Sequence, residues 1–247
     1  MLSEKERERY RRQIPLFGEE GQNRLKNAHV FIAGAGGLGS PVAIYLAVAG
    51  VGTLTIVDND AVELTNLNRQ ILHRDCDRGR PKVDSAVERL REINPDINVR
   101  GIQTTLEGRN IRSLVGDADG IIDAVDNYPL RYLLNETALS MHIPLFHGAI
   151  RGFNGQATTI IPPRTACLRC IFPQPPPVEV FPVIGVTAGY IAMVQANEAI
   201  KYIVQCGELL TNRLLLWDGL ESRAEEIRVD KNLFCCSCGT CRGAAGT

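Results

Sequence analysis

Residues 30–40, Val30-Phe31-Ile32-Ala33-Gly34-Ala35-Gly36-Gly37-Leu38-Gly39-Ser40, carry the clearest chemical signal in the chain. A β-branched and aromatic run meets glycines spaced G-x-G-x-x-G, and a helical apolar pattern through Leu38, Val42, Leu46 and Ala49 begins at once. This predicts a strand, a tight turn and a helix. Gly34 allows the turn, Gly36 and Gly37 let the backbone approach a phosphate, and Gly39 lets the helix pack closely on the strand. The unpaired N–H groups at the helix start then face the anion. A second buried strand, residues 53–57, stops at Asp58-Asn59-Asp60. An acid at that tip, about 20 residues past the glycines, is placed to hold a ribose hydroxyl.

The next stretch departs from an ordinary dinucleotide site. Glu63-Leu64-Thr65-Asn66-Leu67-Asn68-Arg69-Gln70 is a polar loop, and Arg78, Arg80 and Lys82 follow it. Loops of this length are commonly functional, and its cations are in range to reach over the glycine turn to a triphosphate. Lys82 opens a helix whose apolar stripe is Val83, Ala86, Val87, Leu90 and Ile93, ended by Asn94-Pro95. A cation at a helix start opposes the macrodipole unless an anion binds there. The strand over 120–125 delivers Asp126-Asn127 to the edge where open α/β sheets bind ligands. Asp126 suits Mg²⁺, which prefers carboxylate, water and phosphate oxygens, or an N-cap for a helix over 129–140.

Cysteines supply the other signal. Cys167-Leu168-Arg169-Cys170 and the tail holding Cys235, Cys236, Cys238 and Cys241 form C-x-x-C pairs, which match a tetrahedral four-thiolate zinc site better than a redox dithiol. Spacing leaves Cys235 with Cys238, or Cys238 with Cys241, as the tail's contribution. Four thiolates leave no open coordination position, so such zinc pins the tail and does no chemistry. Cys206, at the end of an apolar helix over 186–205, reads as a core thiol.

These sites need a scaffold, and the rest of the chain predicts one. The 247 residues are 45% hydrophobic, with 27 basic and 28 acidic side chains and a net charge of -1. This favours a single domain with a sizeable core and no nucleic-acid or anionic-membrane surface. No apolar run approaches membrane-spanning length and no leader is evident, so a cytoplasmic protein is expected. Residues 3–13 read as a charged, solvated helical arm ending near Pro15. Further strands are expected over 98–103, 144–149 and 155–161, the last two joined as a hairpin around Gly152–Gly155. Residues 213–217 and 224–229 make a terminal hairpin, and Pro173–Pro177 opens an extended crossing loop. The fold class is α/β: a Rossmann-like mixed, mostly parallel sheet of about eight strands flanked by helices. The chain divides into an arm (1–20), a nucleotide-binding half (28–150) and a carrier-binding and zinc half (151–241).

In order, Arg9-Tyr10-Arg11-Arg12-Gln13-Ile14, the Gly34–Gly39 turn, Asp58-Asn59-Asp60, Asn66-Leu67-Asn68-Arg69-Gln70, Gly79-Arg80-Pro81-Lys82, Asp126-Asn127 with Arg131, and the cysteine pairs resemble the MoeB/ThiF/HesA family, relatives of the ubiquitin-activating enzymes, over about residues 7–239. The resemblance implies ATP-dependent adenylation of the C-terminal glycine carboxylate of a small β-grasp, ubiquitin-like sulfur carrier ending in Gly-Gly. It also implies a homodimer. Carried onto this sequence, it has Gly34, Gly36, Gly37 and Gly39 cradle phosphate, Asp58 hold ribose, and Asn66, Arg69 and Lys82 contact the phosphates. Asp60, Gln70 and Asn127 join the nucleotide-binding set, Asp126 holds Mg²⁺, and Arg12 reaches into the partner subunit's site. The glycine after the tail motif matches Gly239, which favours Cys235 and Cys238 as zinc ligands beside Cys167 and Cys170. Residues 171–205 contain no cysteine, so the resemblance implies release or direct use of the acyl adenylate, with Cys76 a poorer thioester candidate. No rhodanese-like extension follows, and sulfur is expected from elsewhere. The competing readings are an NAD-dependent oxidoreductase and a non-catalytic nucleotide-binding scaffold.

Overall fold

Alternation along the first strand sorts the molecule into two faces. Val30 and Ile32 look to one side with Leu54 and Ile56, whereas Phe31 and Ala33 look to the other with Val57 and Ile121. Strands buried on both faces read as continuous apolar runs, and fully burying side chains such as Phe31, Ile32 and Leu54 contributes roughly 1.5–3 kcal/mol each. The structure is a computed structural model that describes residues 1–176 and 181–239.

In chain order the elements begin with α1 (Glu4–Arg9), α2 (Ile14–Asn27), β1 (His29–Ala33), α3 (Gly39–Ala49) and β2 (Thr53–Asp58). Two 3₁₀ turns, Leu64–Asn66 and Asp75–Asp77, interrupt the polar loop before α4 (Lys82–Ile93) and β3 (Asn98–Gln103). Then come α5 (Ile111–Val115), β4 (Gly120–Asp123), α6 (Tyr128–Met141), β5 (Leu145–Arg151) and β6 (Asn154–Ile160). The last elements are α7 (Leu168–Ile171), α8 (Gly185–Val204), β7 (Arg213–Asp218) and β8 (Arg223–Arg228). They form one eight-stranded sheet in the order β3-β2-β1-β4-β5-β6-β7-β8. The strands from β3 through β5 are parallel, and β6, β7 and β8 each pair antiparallel to their neighbour. Helices α3, α4 and α8 cover one face, while α5, α6 and α7 cover the other. The chain leaves β1 toward β2 and β3 but returns to β4 on the other side. That reversal opens a crevice at the carboxyl ends of β1 and β4, the usual ligand position in such sheets.

The N-terminal arm differs from the solvated helix expected of residues 3–13. Helix α1 stops at Arg9, and Leu2, Glu6 and Tyr10 are buried against the body. Asn94 Nδ2 donates to the Tyr10 hydroxyl at 2.9 Å, and Gln13 Nε2 donates to the Ala49 carbonyl at 2.7 Å. Hydrogen bonding by Lys26 and by the Ser3 backbone holds the Glu6 carboxyl down at about 2. Pro15 begins α2 rather than ending the arm, because a proline lacks only an N–H that the first helical turn leaves unpaired anyway. Cys206 is also corrected: α8 ends at Val204, Gln205 turns left-handed at φ 59°, and the Cys206 thiol is exposed. Among the described residues no helix is long and apolar enough to cross a membrane. Of the crossing loop, residues 177–180 lie outside the described residues, as does Cys241.

Candidate functional site

The glycine turn leaves β1 at Gly34, whose φ of 100° and backbone contact need a residue without a side chain. A β-carbon there would come within 2.7 Å of the Ala124 carbonyl oxygen, and one at Gly39 would collide with the Gly34 carbonyl. These two glycines therefore close the turn onto β4 and onto the start of α3. The middle pair behaves differently. At Gly36 the nearest atom to an added β-carbon is Gln70 Nε2 at 3.7 Å, and at Gly37 the nearest are Ala188 Cβ at 3.5 Å and the Arg69 stem at 3.6 Å. The turn thus presents an open backbone cradle roofed by Arg69, which suits a phosphate.

Charged groups gather around this cradle. Asp58 Oδ2 accepts the Ala35 N–H at 2.8 Å, and Asp58 Oδ1 accepts the Asp60 N–H at 2.8 Å. Lys82 is 5% exposed, and its ammonium donates to Asp60 Oδ2 at 2.8 Å, so a carboxylate stands where the macrodipole argument requires an anion. Arg69 Nη1 donates to the Thr65 carbonyl at 2.9 Å and to Asn68 Oδ1 at 3.0 Å, with no acidic partner among the described residues. Asn66 is buried and accepts the Glu63 N–H. Gln70 is buried with its Oε1 unpartnered. Across the crevice, Asp126 is exposed and accepts from Asn127 Nδ2 at 3.1 Å. The cap of α6 is Asn127, whose Oδ1 accepts the Leu130 N–H at 3.0 Å, and not Asp126. Asp126 is thereby left without a structural duty as a cap.

The structure brings Gly34, Gly36, Gly37, Gly39, Asp58, Asp60, Asn66, Arg69, Gln70, Lys82, Asp126 and Asn127 to this edge, but not Arg12. Arg12 is exposed between α1 and α2, in a segment docked at the far end of α3, about 16 Å of helix from the turn. Arg80 does not face the cradle either. It is bound to Asp77 and Glu88, and Arg78 lies beside Asp75.

Buried titratable groups escaped the sequence reading, three of them at or behind this edge. Asp123 and His147 are wholly buried, with His147 Nδ1 2.7 Å from Asp123 Oδ2. Burial pushes this imidazole below its usual value even though Asp123 pulls the other way. A titratable residue ending each of the apolar runs Ile121-Ile122-Asp123 and Leu145-Phe146-His147 was the available signal. The third is His73, beneath the turn, with Nε2 3.0 Å from the Ala35 carbonyl.

A second cluster lies beyond β6. The sulfur atoms of Cys167, Cys170, Cys235 and Cys238 lie within 4.8 Å of one another, with Cys167 to Cys235 at 3.6 Å and Cys170 to Cys238 at 3.4 Å. A tetrahedron of thiolates about zinc has edges of ~3.8 Å, so the four fit that ion. The Asn232 N–H points to Cys170 Sγ at 3.4 Å, an outer-shell bond of the kind that steadies a thiolate. Burial favours the protonated thiols of Cys167, pushed well up, and Cys238, pushed up to about 11, whereas at Cys170 hydrogen bonds including that from the Asn232 N–H outweigh burial and bring it down.

The ThiF family profile matches residues 10–238. The SAMP-activating enzyme E1 of Haloferax volcanii is 42% identical over 240 residues, covering 94% of this chain and 88% of that one. The sulfur carrier protein adenylyltransferase of Thermus thermophilus is 40% identical over 250 residues, covering 96% and 92%. The chain spans about half the length of two Zea mays relatives named adenylyltransferase and sulfurtransferase MOCS3. Among solved structures, E. coli MccB with MccA-N7isoASN superposes with a TM-score of 0.85 over 94% of this chain and 75% of that one, at 24% identity, which is a likeness of fold.

Proposed function

The chain belongs to the ThiF family, and from that premise we propose that it is an ATP-dependent adenylyltransferase acting on a ubiquitin-like sulfur carrier that ends in Gly-Gly. The observation that carries this reading is the open Gly36–Gly37 cradle with Arg69 above it, Lys82 beside it and Asp126 across the crevice. In the reaction a terminal carboxylate oxygen bonds to the α-phosphorus and the bond to pyrophosphate breaks, with no proton required. Two anions must meet, so the site has to supply positive charge and alignment rather than a nucleophile of its own. Arg69 and Lys82 are assigned to the phosphates together with the turn's N–H groups and Asn66. Asp58 and Asp60 are assigned to the ribose side, with Lys82 leaving Asp60 for phosphate. Asp126 would hold Mg²⁺, which when bound neutralises phosphate charge. Cys167, Cys170, Cys235 and Cys238 would hold structural zinc.

The decisive experiment is exchange of labelled pyrophosphate into ATP with a small β-grasp Gly-Gly protein present. Carrier-dependent exchange is expected, as is calorimetric binding of Mg-ATP in clear preference to NAD. Absence of exchange with every such carrier would count heavily against the reading.

A homodimer completes the proposal. Tyr45 and Val48 on α3, with Val186 and Tyr190 on the neighbouring α8, are exposed apolar side chains between 37% and 71% accessible. Covering them with a second copy fits their chemistry, and Arg12, exposed and without an ion-pair partner among the described residues, is then free to serve the other subunit's site. Introducing Tyr45→Glu with Val48→Glu is expected to give a monomer by analytical ultracentrifugation and to lower exchange about tenfold or more. A double variant that still sediments as a dimer places the interface elsewhere. The reaction is assigned to the cytoplasm, in keeping with metal-binding thiols rather than disulfides.

A further inference from the structure

The peptide between Ala35 and Gly36 is gripped from within the protein. Its carbonyl oxygen lies 3.0 Å from His73 Nε2, and because a carbonyl only accepts, Nε2 carries the proton. The other ring nitrogen is 2.9 Å from Ser85 Oγ, which lies 3.0 Å from Asp77 Oδ2. Asp77 is fully buried and is flanked by the guanidinium groups of Arg74 and Arg80, both also joined to Glu88. Burial works against the Asp77 charge, but the Arg74 backbone and side chain and the Ser85 hydroxyl overcome it and hold the carboxyl at about 2. His73, Ser85 and Asp77 are all less than 7% exposed. With the proton on Nε2 and burial holding the ring neutral, Nδ1 only accepts, so the one Ser85 hydroxyl proton goes either to Nδ1 or to Asp77, and the ring is braced from behind by a buried hydroxyl beside a carboxylate locked by two cations.

The consequence lies in peptide geometry. In a trans peptide the C=O and the following N–H point in opposite directions. Holding the Ala35 oxygen inward on His73 therefore aims the Gly36 N–H outward, into the cradle, and that N–H has no hydrogen-bond partner among the described residues. Glycine at 36 makes the reverse orientation accessible, and a flipped peptide would present a carbonyl oxygen to a phosphate. We propose that His73 is the positioning residue that keeps the Ala35–Gly36 peptide in its anion-binding orientation.

This rests on the adenylylation reading, and two variants separate the two. His73→Gln carries an amide N–H to the place of Nε2, whereas His73→Asn reaches only the place of Nδ1. The expected result is that His73→Asn raises the KM and the calorimetric Kd for Mg-ATP at least about tenfold, the worth of one buried hydrogen bond. Its kcat at saturating ATP and its KM for the carrier should stay within about threefold of wild type, and His73→Gln should bind Mg-ATP within about threefold. Ser85→Ala, which removes the ring's anchor together with one hydrogen-bond partner of Asp77, should raise the same ATP constants about threefold and keeps the test open if His73→Asn does not fold. Equal weakening by Asn and Gln, a fall in kcat with ATP binding unchanged, or ATP constants untouched by Ser85→Ala would overturn the assignment. Wild-type protein that binds no Mg-ATP would instead sink the reading beneath it.

Discussion

Asp126→Ala is expected to lower carrier-dependent pyrophosphate exchange about 100- to 1,000-fold, the scale on which a preorganised electrostatic partner of a reacting anion acts. The melting temperature should move by less than about 2 °C, because nothing in the fold leans on this side chain. It is exposed, its hydrogen bond comes from the Asn127 amide, and Asn127 rather than Asp126 caps α6. Substitutions at such positions stay within about 0.5 kcal/mol in stability. The position is what gives the residue its effect. Gly34 is pressed against the Ala124 carbonyl, so the segment leaving β4 toward Asp126 starts beside the phosphate turn, where a carboxylate would otherwise repel the ligand. A carboxylate is tolerable there if it serves a divalent cation shared with phosphate oxygens. Asp126→Asn keeps shape and loses charge, and it should fall nearly as far as alanine, with the residual activity requiring more Mg²⁺. Exchange within about fivefold of wild type in either variant would remove Asp126 from the reaction.

How far the site could be read in advance depended on whether its parts were local. The Gly34–Gly39 turn was legible because strand, glycine spacing and helix lie within a few residues, and Asp58 because it ends the very next strand. Lys82 was legible as an anomaly, a cation at a helix start, although Asp60 as the acid beside it was not. His73 was invisible for the opposite reason: its importance comes from Ala35, Ser85 and Asp77, three segments brought together only by folding. Residue-type arguments failed where a single backbone angle decided the outcome. The apolar run of α8 implied a buried Cys206, but the left-handed Gln205 turned the chain outward one residue earlier. Pro15 was misread because proline suits a helix start as well as a stop. The cysteine pairs were legible as pairs, yet only the sheet brings residues 68 positions apart within 3.6 Å.

Removing the zinc proposed for those cysteines, by chelation or by Cys167→Ser, is expected to lower the melting temperature by roughly 6–12 °C, corresponding to about 3 kcal/mol for a chain of this size. Binding of structural zinc is worth roughly 10–16 kcal/mol in peptides that fold only around it. The full amount is not expected here, because the eight-stranded sheet and nearly all of its two apolar layers lie outside the tail, which adds only Cys235 and Cys238 to the second layer. What is lost is the closure between α7 and residues 231–239. Otherwise that closure rests on few contacts, among them Lys231 Nζ to the Pro163 carbonyl at 2.6 Å and the Ser237 hydroxyl on Glu136. The damage should extend to the site through α7. Leu168 N–H is held by the buried Asn135 at 2.8 Å, Arg169 stacks 3.8 Å over the Tyr132 ring, and the Tyr132 hydroxyl donates to the Phe172 carbonyl at 2.8 Å. The Phe172 ring in turn packs against Tyr128, in the first turn of α6 beside Asp126, and against His147. Exchange is therefore expected to fall with the metal, though less than in Asp126→Ala, since four thiolates leave zinc no open position from which to act on substrate. Metal analysis should find one zinc per chain in wild type, and Cys206→Ser, an exposed thiol away from the cluster, should keep both metal and melting temperature. Protein purified without zinc, or a melting temperature unmoved by chelation, would show that the four sulfur atoms pack together without an ion.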